Sequence, residues 1–487
     1  MTDQAAVGLA GGTTPQARLE PDAIGVAQDT VIGMASSAPA ATAAGTLVAL
    51  NFATAYGGGM ILLIFAIPML IIANAYRRLN LWNANCGASF EWVGRSISPY
   101  LGFLIGWFMI AAYVLGTVFE VLVLGPNVLA VFSSNPSTNK WAYIAIGTAI
   151  GVIMLVIAVV GIRITARTQV GMAVIEYAIV IGLAVAGLLL VLRHHPGTVS
   201  ITKGWFNPNG IHGTAFGNGT AVAGFLAAIF IYGGWDGTLY VNEEVKHRRV
   251  NPGRAAMIAV ALLAVIYTLS QVGFQGVESA KKLAASSSPM VDAAGVIGGS
   301  FWAKAMAVAI ALSVIATTGT GIVLGARIAY GMASYRALPE SLANVSRRYK
   351  TPAVASIFIG VLIIVISAIY YLATSVQGAF NNVISVTSFL FSIFYIFTAI
   401  AAIVYYRRRI LSSAVEFIVT GLLTLGSAGF LGWVAVKSFM ASTTTPAVRW
   451  STVGVIAVGV IMMLIARFGL RSSFFQIQRE SDPGTAG

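Results

Sequence analysis

Charge is what this chain has least of. Asp, Glu, Lys and Arg together make up 9% of its 487 residues, against roughly 25% in a soluble domain. That shortage excludes a water-soluble globular protein and a charged disordered chain alike. A single cysteine, Cys86, excludes a disulfide framework and a thiolate metal centre. The four histidines, His194, His195, His212 and His247, all fall in segments read as loops, so the apolar segments hold no imidazole for catalysis or metal binding. The patterns HExxH, GxSxG and GxxxxGK[ST] are missing, and with them the marks of a zinc hydrolase, a serine hydrolase or a nucleotide-driven pump. No ring of charges or filter-like repeat points to a channel. The first residues lack a basic stretch followed by a short apolar one, so no cleavable signal is expected and the first span is expected to insert itself.

What fills the chain instead is apolar residue, at 57%. Runs of about 20 residues, the length that crosses the hydrocarbon core as a helix, recur near 29–51, 55–73, 100–132, 141–161, 170–192, 219–241, 255–276, 302–326, 353–373, 383–405, 414–437 and 448–468. They are continuous, unlike the ten-residue alternating segments of an outer-membrane barrel. With the N-terminus inside, 21 of the 29 Lys and Arg residues fall on inner segments and 8 on outer ones, which is the positive-inside bias. The net charge of +13 therefore reports topology, and no nucleic-acid partner is expected. An integral multi-pass protein of a cytoplasmic (plasma) membrane follows, all-α, with both termini cytoplasmic and with lipid and a small molecule as its partners. The tails 1–22 and 471–487 are polar or Gly/Ala/Thr-rich and are expected to be disordered. Four connections are longer: 74–98, 193–218, 277–301 and 327–352. The first carries Phe90-Glu91-Trp92-Val93 and reads as an interfacial amphipathic helix.

Two spans carry residues that an ordinary membrane helix avoids. The first contains Gly33-Met34-Ala35-Ser36-Ser37-Ala38-Pro39, the sixth Gly233-Gly234-Trp235-Asp236-Gly237. Helix-breaking residues at corresponding places in two halves point to a transporter's binding site, because backbone leaves the helix at membrane depth only where it lines a cavity or is buried in protein. Small residues also serve helix contact, and Gly233 with Gly237 fits GxxxG, as does Gly102 with Gly106; the matching break and the intramembrane carboxylate favour the site. An unwound stretch over 33–39 would offer N–H groups to an anionic group of a ligand, with Gly33, Ala35, Ser36 and Ser37 around it. Carbonyls near Phe230, Gly233 and Gly234 would accept from a donor group of the same ligand. Asp236 marks an ion, proton or substrate path, or else caps the broken half-helix. Glu120 in the third span stays open between proton coupling and structure. Glu176 in the fifth reads as structural, paired with Arg163 or Arg167. Glu243 and Glu244, near Lys246, Arg248 and Arg254, read as an inner gate or a solvated loop.

Four stretches, in order over about residues 22 to 410, resemble the amino acid–polyamine–organocation (APC) transporters. They are Asn85-Cys86-Gly87-Ala88-Ser89-Phe90-Glu91-Trp92-Val93-Gly94-Arg95 with Leu101-Gly102-Phe103 and Gly106-Trp107; Gly161-Ile162-Arg163 with Ala166-Arg167-Thr168-Gln169; Phe230 with Gly233-Gly234-Trp235-Asp236, Glu243-Glu244-Val245-Lys246 and Asn251-Pro252-Gly253-Arg254; and Arg327-Ile328-Ala329-Tyr330-Gly331-Met332-Ala333 with Ala337-Leu338-Pro339 and Thr351-Pro352. The resemblance implies two inverted five-helix repeats (a LeuT-like fold) over 23–192 and 219–410, two further helices over 411–470, and unwound first and sixth helices. It places the second stretch in an inner loop between spans four and five. It implies that Phe230, or its neighbour Tyr232, acts as an aromatic lid. It also implies H+ or Na+ as coupling ion and no other cofactor. Ser313, Thr317 and Thr318, with Thr320 nearby, are the candidate sodium ligands; small hydroxyl residues also bond back to their own helix. Residues 170–192 hold no lysine, which argues against coupling through a fifth-helix lysine. The expected function is secondary-active import of a neutral amino acid by alternating access. The alternatives are an amine or polyamine transporter, an amino acid exchanger, or a sensor on the same fold. No enzyme activity is expected.

Overall fold

The computed structural model describes residues 18–54, 56–132, 140–207, 220–286, 288–373, 376–442 and 444–482. Among them, eleven helices are long and apolar enough to cross a membrane, and one further crossing is split. The split crossing is α1 (Val26–Ala35) followed by α2 (Pro39–Thr54). Then come α3 (Gly58–Trp82), the short α4 (Ser89–Ser96), α5 (Pro99–Phe132), α6 (Lys140–Val160) and α7 (Ile162–Leu192). A second series opens with α8 (Thr220–Tyr232), continued by 3-10 turns at Trp235–Leu239 and Asn242–Glu244. It runs on through α9 (Asn251–Gln275), the short α10 (Ala280–Ala285) and α11 (Pro289–Gly298), then α12 (Ser300–Ala333), α13 (Ala353–Ala373) and α14 (Val376–Tyr405). The turns α15 (Arg407–Ile410) and α16 (Ala414–Glu416) lead into α17 (Leu423–Met440) and α18 (Pro446–Leu464), with π-helical turns at Phe417–Leu422 and Ile465–Gly469.

The two series pack against each other helix by helix. Helix α3 lies along α9, α5 along α12 and α6 along α13, while α5 also meets α14 and α12 meets α7. The hydrophobic stretch of α12 is 83% buried and that of α18 only 17%, so α12 is a core element and α18 a lipid-facing flank. An apolar groove of ≈ 900 Å³ between α5, α13 and α18, edged by the exposed Val354 and Phe358, lies on that flank.

The structure corrects several boundaries. The expected inner loop between spans four and five is a single break at Gly161, φ 152, after which α7 begins at once. The 277–301 connection folds into α10 and α11, each started by a serine, Ser279 and Ser288, with Pro289 at the first position of α11. The expected interfacial helix exists as α4, but Phe90, Trp92 and Val93 are fully buried, so it is a wedge inside the protein. Helices α5 and α14 pack against it, and the C-terminal tail closes over Phe90 and Gly94. Phe474 stacks on Phe90 at 3.9 Å and lies over Gly94, where a Cβ would sit 2.3 Å from its ring. Beyond it, Glu480 N–H donates to Arg95 O at 2.7 Å, Arg95 Nη1 pairs with Glu480 Oε1 at 2.6 Å, and Asp482 N–H donates to Tyr405 O at 3.0 Å. Residues 472–482 are thus ordered, because two aromatic side chains in a polar tail bury area worth roughly 1.5–3 kcal/mol each. His212 lies outside the described residues.

Candidate functional site

Both predicted helix breaks are present, and they touch. Helix α1 ends at Ala35, and only residues 36–38 are non-helical, so Gly33 and Ala35 remain inside the helix. Pro39, with its fixed φ and missing N–H, starts α2 and forces Ala38 out of the helical region to φ 44. Helix α8 stops at Tyr232 because Gly234 adopts φ +109, which costs glycine little. A Cβ on Gly234 would lie 2.7 Å from Ser36 O. The Ser36 hydroxyl donates to Gly33 O at 2.9 Å and to Gly234 O across the gap. Gly33 is needed for the same closeness, since a Cβ there would meet Thr238 Cγ2 at 2.5 Å.

A cavity of ≈ 30 Å³ opens where the breaks meet, lined by Ser36, Ser37, Thr42, Tyr113, Thr117, Glu120, Phe230, Gly233, Thr317 and Phe391. That is room for about two water-sized groups. Phe230 bounds it, its ring edge-on to Phe119 at 5.2 Å. Tyr232 does not line it: fully buried, it donates its hydroxyl to Leu62 O at 2.9 Å. Two buried polar atoms on the cavity wall have no partner, Glu120 Oε2 and Ser37 Oγ.

Asp236 and Glu176 are each held by partners of their own. Asp236 accepts from Tyr240 and, at 2.7 Å, from Tyr395, so it ties the broken sixth span to α14. Glu176 does not pair with Arg163 or Arg167. Its Oε1 accepts from Ala40 N–H at 2.9 Å, and Ser313 Oγ accepts from Ala41 N–H at 3.3 Å. Arg163 instead bonds Glu20 at 2.9 Å. The first N–H groups of α2, expected to face a substrate carboxylate, are therefore capped from α7 and α12. Thr317 Oγ1 donates to Ala35 O at 2.6 Å, while Thr318 and Thr320 bond back to carbonyls of α12.

At the end of the broken sixth span, Glu244 is paired, but not with the neighbouring basic residues. Both its oxygens meet Arg327 at 3.0 Å, with both side chains fully buried. Its backbone oxygen accepts from Ala23 and Ile24, and Lys246 N–H donates to Ile24 O. Residues 23–24 so form a parallel bridge with Val245 that fastens the start of α1. Glu243 accepts from Cys86 N–H at 3.0 Å; burial pushes its carboxyl up from the ordinary range, against that bond. The tyrosines that hold Asp236 were missed in the sequence, although Tyr240 stands one helical turn beyond it. Arg327, expected at the start of the inner connection 327–352, lies buried inside α12 instead, because that helix runs on to Ala333.

The sequence model of a family described as amino acid permease matches residues 28–465. The D-serine/D-alanine/glycine transporter of Escherichia coli (strain K12) is 20% identical over 356 residues, covering 71% of this chain and 73% of that protein. The large neutral amino acids transporter small subunit 2 of Homo sapiens is 28% identical over 214 residues, 42% of this chain and 38% of that one. Among solved structures, a mutant manganese transporter of Eremococcus coleocola superposes with a TM-score of 0.57 at 14% identity, over 92% of this chain and 94% of that one; at such identity the likeness is one of fold. The chain belongs to the amino acid permease family of the APC superfamily, a permease with the LeuT-like fold and not an enzyme.

Proposed function

We propose that this permease imports a small neutral amino acid across the cytoplasmic membrane, coupled to an ion and working by alternating access around the cavity between the two helix breaks. The observation that carries the reading is the pair of unpartnered polar atoms, Glu120 Oε2 and Ser37 Oγ, on one small cavity wall at the meeting of the breaks. A zwitterion brings an ammonium for the free carboxylate oxygen and a carboxylate for the hydroxyl of Ser37. The cavity must widen to admit even glycine, and its size favours a small side chain, in keeping with the D-serine, D-alanine and glycine for which the Escherichia coli relative is named. Phe230 acts as its lid.

Glu120 is the coupling residue in this reading. An ionised carboxylate without a partner is costly at this depth, so Glu120 keeps a proton until a substrate ammonium or water reaches it. Asp236, with two tyrosine donors, is a strut that holds the broken sixth span. Both termini lie on the cytoplasmic face, supported by the contact of Glu20 with Arg163 and of Glu480 with Arg95 on the side rich in arginine.

The test is a comparison of Glu120→Gln and Asp236→Asn in proteoliposomes. Glu120→Gln is expected to keep amino acid exchange and lose accumulation driven by a proton gradient; Asp236→Asn is expected to lose both. Proton-driven accumulation by Glu120→Gln would refute the assignment. Sodium-driven uptake that survives in it would move the coupling to Ser313, Thr317 and Thr318.

A further inference from the structure

Asp29, the one acidic residue of α1, carries the barest carboxylate among the described residues. It is fully buried, and neither oxygen has a hydrogen-bond partner. No cation lies within ion-pair distance of it. Helix α1 packs against α9, α7, the turn Trp235–Leu239 and α12. Of the titratable and charged groups these elements bring, the cations are exposed or paired elsewhere and none makes a bond to Asp29. On α9, Arg254 is exposed and Tyr267 donates to Ser37 O. On α7, Arg163 pairs with Glu20, Arg167 is exposed, Glu176 caps α2, and Tyr177 makes no bond. Asp236 is held by its tyrosines. On α12, Lys304 is exposed, Arg327 pairs with Glu244, and Tyr330 is partly buried. On the segment before α1, Asp22 is exposed and Glu20 is used by Arg163.

An ionised carboxylate in such surroundings costs several kcal/mol even after relaxation, whereas a neutral acid costs far less. Asp29 is therefore protonated as long as α1 is docked. Docking itself rests on few bonds. Residues 36–38 form a non-helical joint to α2, and the inner end is fastened by Ala23 N–H to Glu244 O at 2.8 Å, Ile24 N–H to Glu244 O at 3.2 Å and Lys246 N–H to Ile24 O at 3.0 Å.

We propose that Asp29 is a proton-binding site that latches the inner gate: it is protonated with α1 docked, and it releases that proton to inner water when α1 swings away from α9 and α7. By linkage, the undocked population grows as inner pH rises, by up to about tenfold per pH unit for one released proton. This site lies apart from the cavity and is read without substrate, so it stands or falls separately from the transport reading.

Thr30, the next residue, is buried at 5% exposure and supplies a reporter. A Thr30→Cys protein with Cys86→Ala is labelled by a membrane-impermeant maleimide from the inner side. Each rate is divided by that of the unfolded protein at the same pH, which removes the thiol's own pH response. With Asp29 present the normalised rate is expected to climb with pH; with Asp29→Asn, a copy of the neutral side chain, it is expected to stay low and flat. The Asn variant should also equal the parent in thermal stability at acid pH and exceed it increasingly as pH rises, which separates loss of the latch from loss of folding. Equal pH dependence in both proteins, or none in either, would overturn the assignment.

Discussion

Arg327 and Glu244 meet through two 3.0 Å bonds with no exposure of either side chain. Glu244→Gln keeps the shape of the acid and removes its charge. The guanidinium left behind already has one nitrogen, Nη1, without a partner, and no water can reach it. Breaking a buried pair from one side costs about 3–5 kcal/mol, while replacing both partners by apolar residues of similar volume ranges from neutral to a gain of about 1–4 kcal/mol. Glu244→Gln and Arg327→Met are therefore each expected to destabilise the protein by about 3–5 kcal/mol, and Glu244→Leu with Arg327→Met to recover most of that. The single changes should also loosen residues 23–24, which bond the backbone of Glu244. Reversible unfolding of the purified protein in bicelles, with Glu244→Leu alone as the matching single variant, measures all four corners of the cycle. Single-variant losses below about 1 kcal/mol, or a double variant that merely sums the singles, would refute the reasoning.

Gly234→Ala forces a side chain onto φ +109 and 2.7 Å from Ser36 O; a loss of at least 1–3 kcal/mol from backbone strain is expected in the same unfolding assay. Gly171→Ala, where a Cβ meets nothing within 4 Å, is the matched control and should be neutral or stabilising by roughly 0.5–1 kcal/mol. Tyr395→Phe removes the 2.7 Å bond to Asp236 and should cost about 1.5–3 kcal/mol, as bonds to charged groups do. Phe474→Ala should cost about 3–5 kcal/mol, and thermal unfolding that matches the parent would show that the tail does not hold α4.

The broken spans were legible because their cause is local. Pro39 and the Gly233-Gly234 pair act on their own backbone. What fills the breaks was not, because it comes from far along the chain. Glu176 lies 136 residues from the N–H it caps, and Ser313 lies 272 from its own. Glu176 read as a partner for nearby arginines, and only packing shows that α2 claims it. Tyr113 and Tyr395 carry no local mark that sets them apart in apolar spans, although Tyr395 holds Asp236 and Tyr113 lines the cavity. Asp29 drew no notice, since an acid in the first turn of a helix is what the helix dipole favours; its total burial is a tertiary fact. The tail was misread because its composition is polar, and two phenylalanines were enough to dock it.

The account rests on the cavity at the two breaks being an amino acid site. The direct measurement is uptake of labelled glycine, alanine, serine and larger neutral amino acids into proteoliposomes under an imposed proton gradient, with protein shown by its unfolding transition to be folded. Saturable accumulation of the small amino acids above equilibrium, collapsing when the gradient is dissipated and absent in Glu120→Gln, is the predicted result. Folded protein that accumulates none of them, or that does so equally with Glu120 replaced, would contradict it.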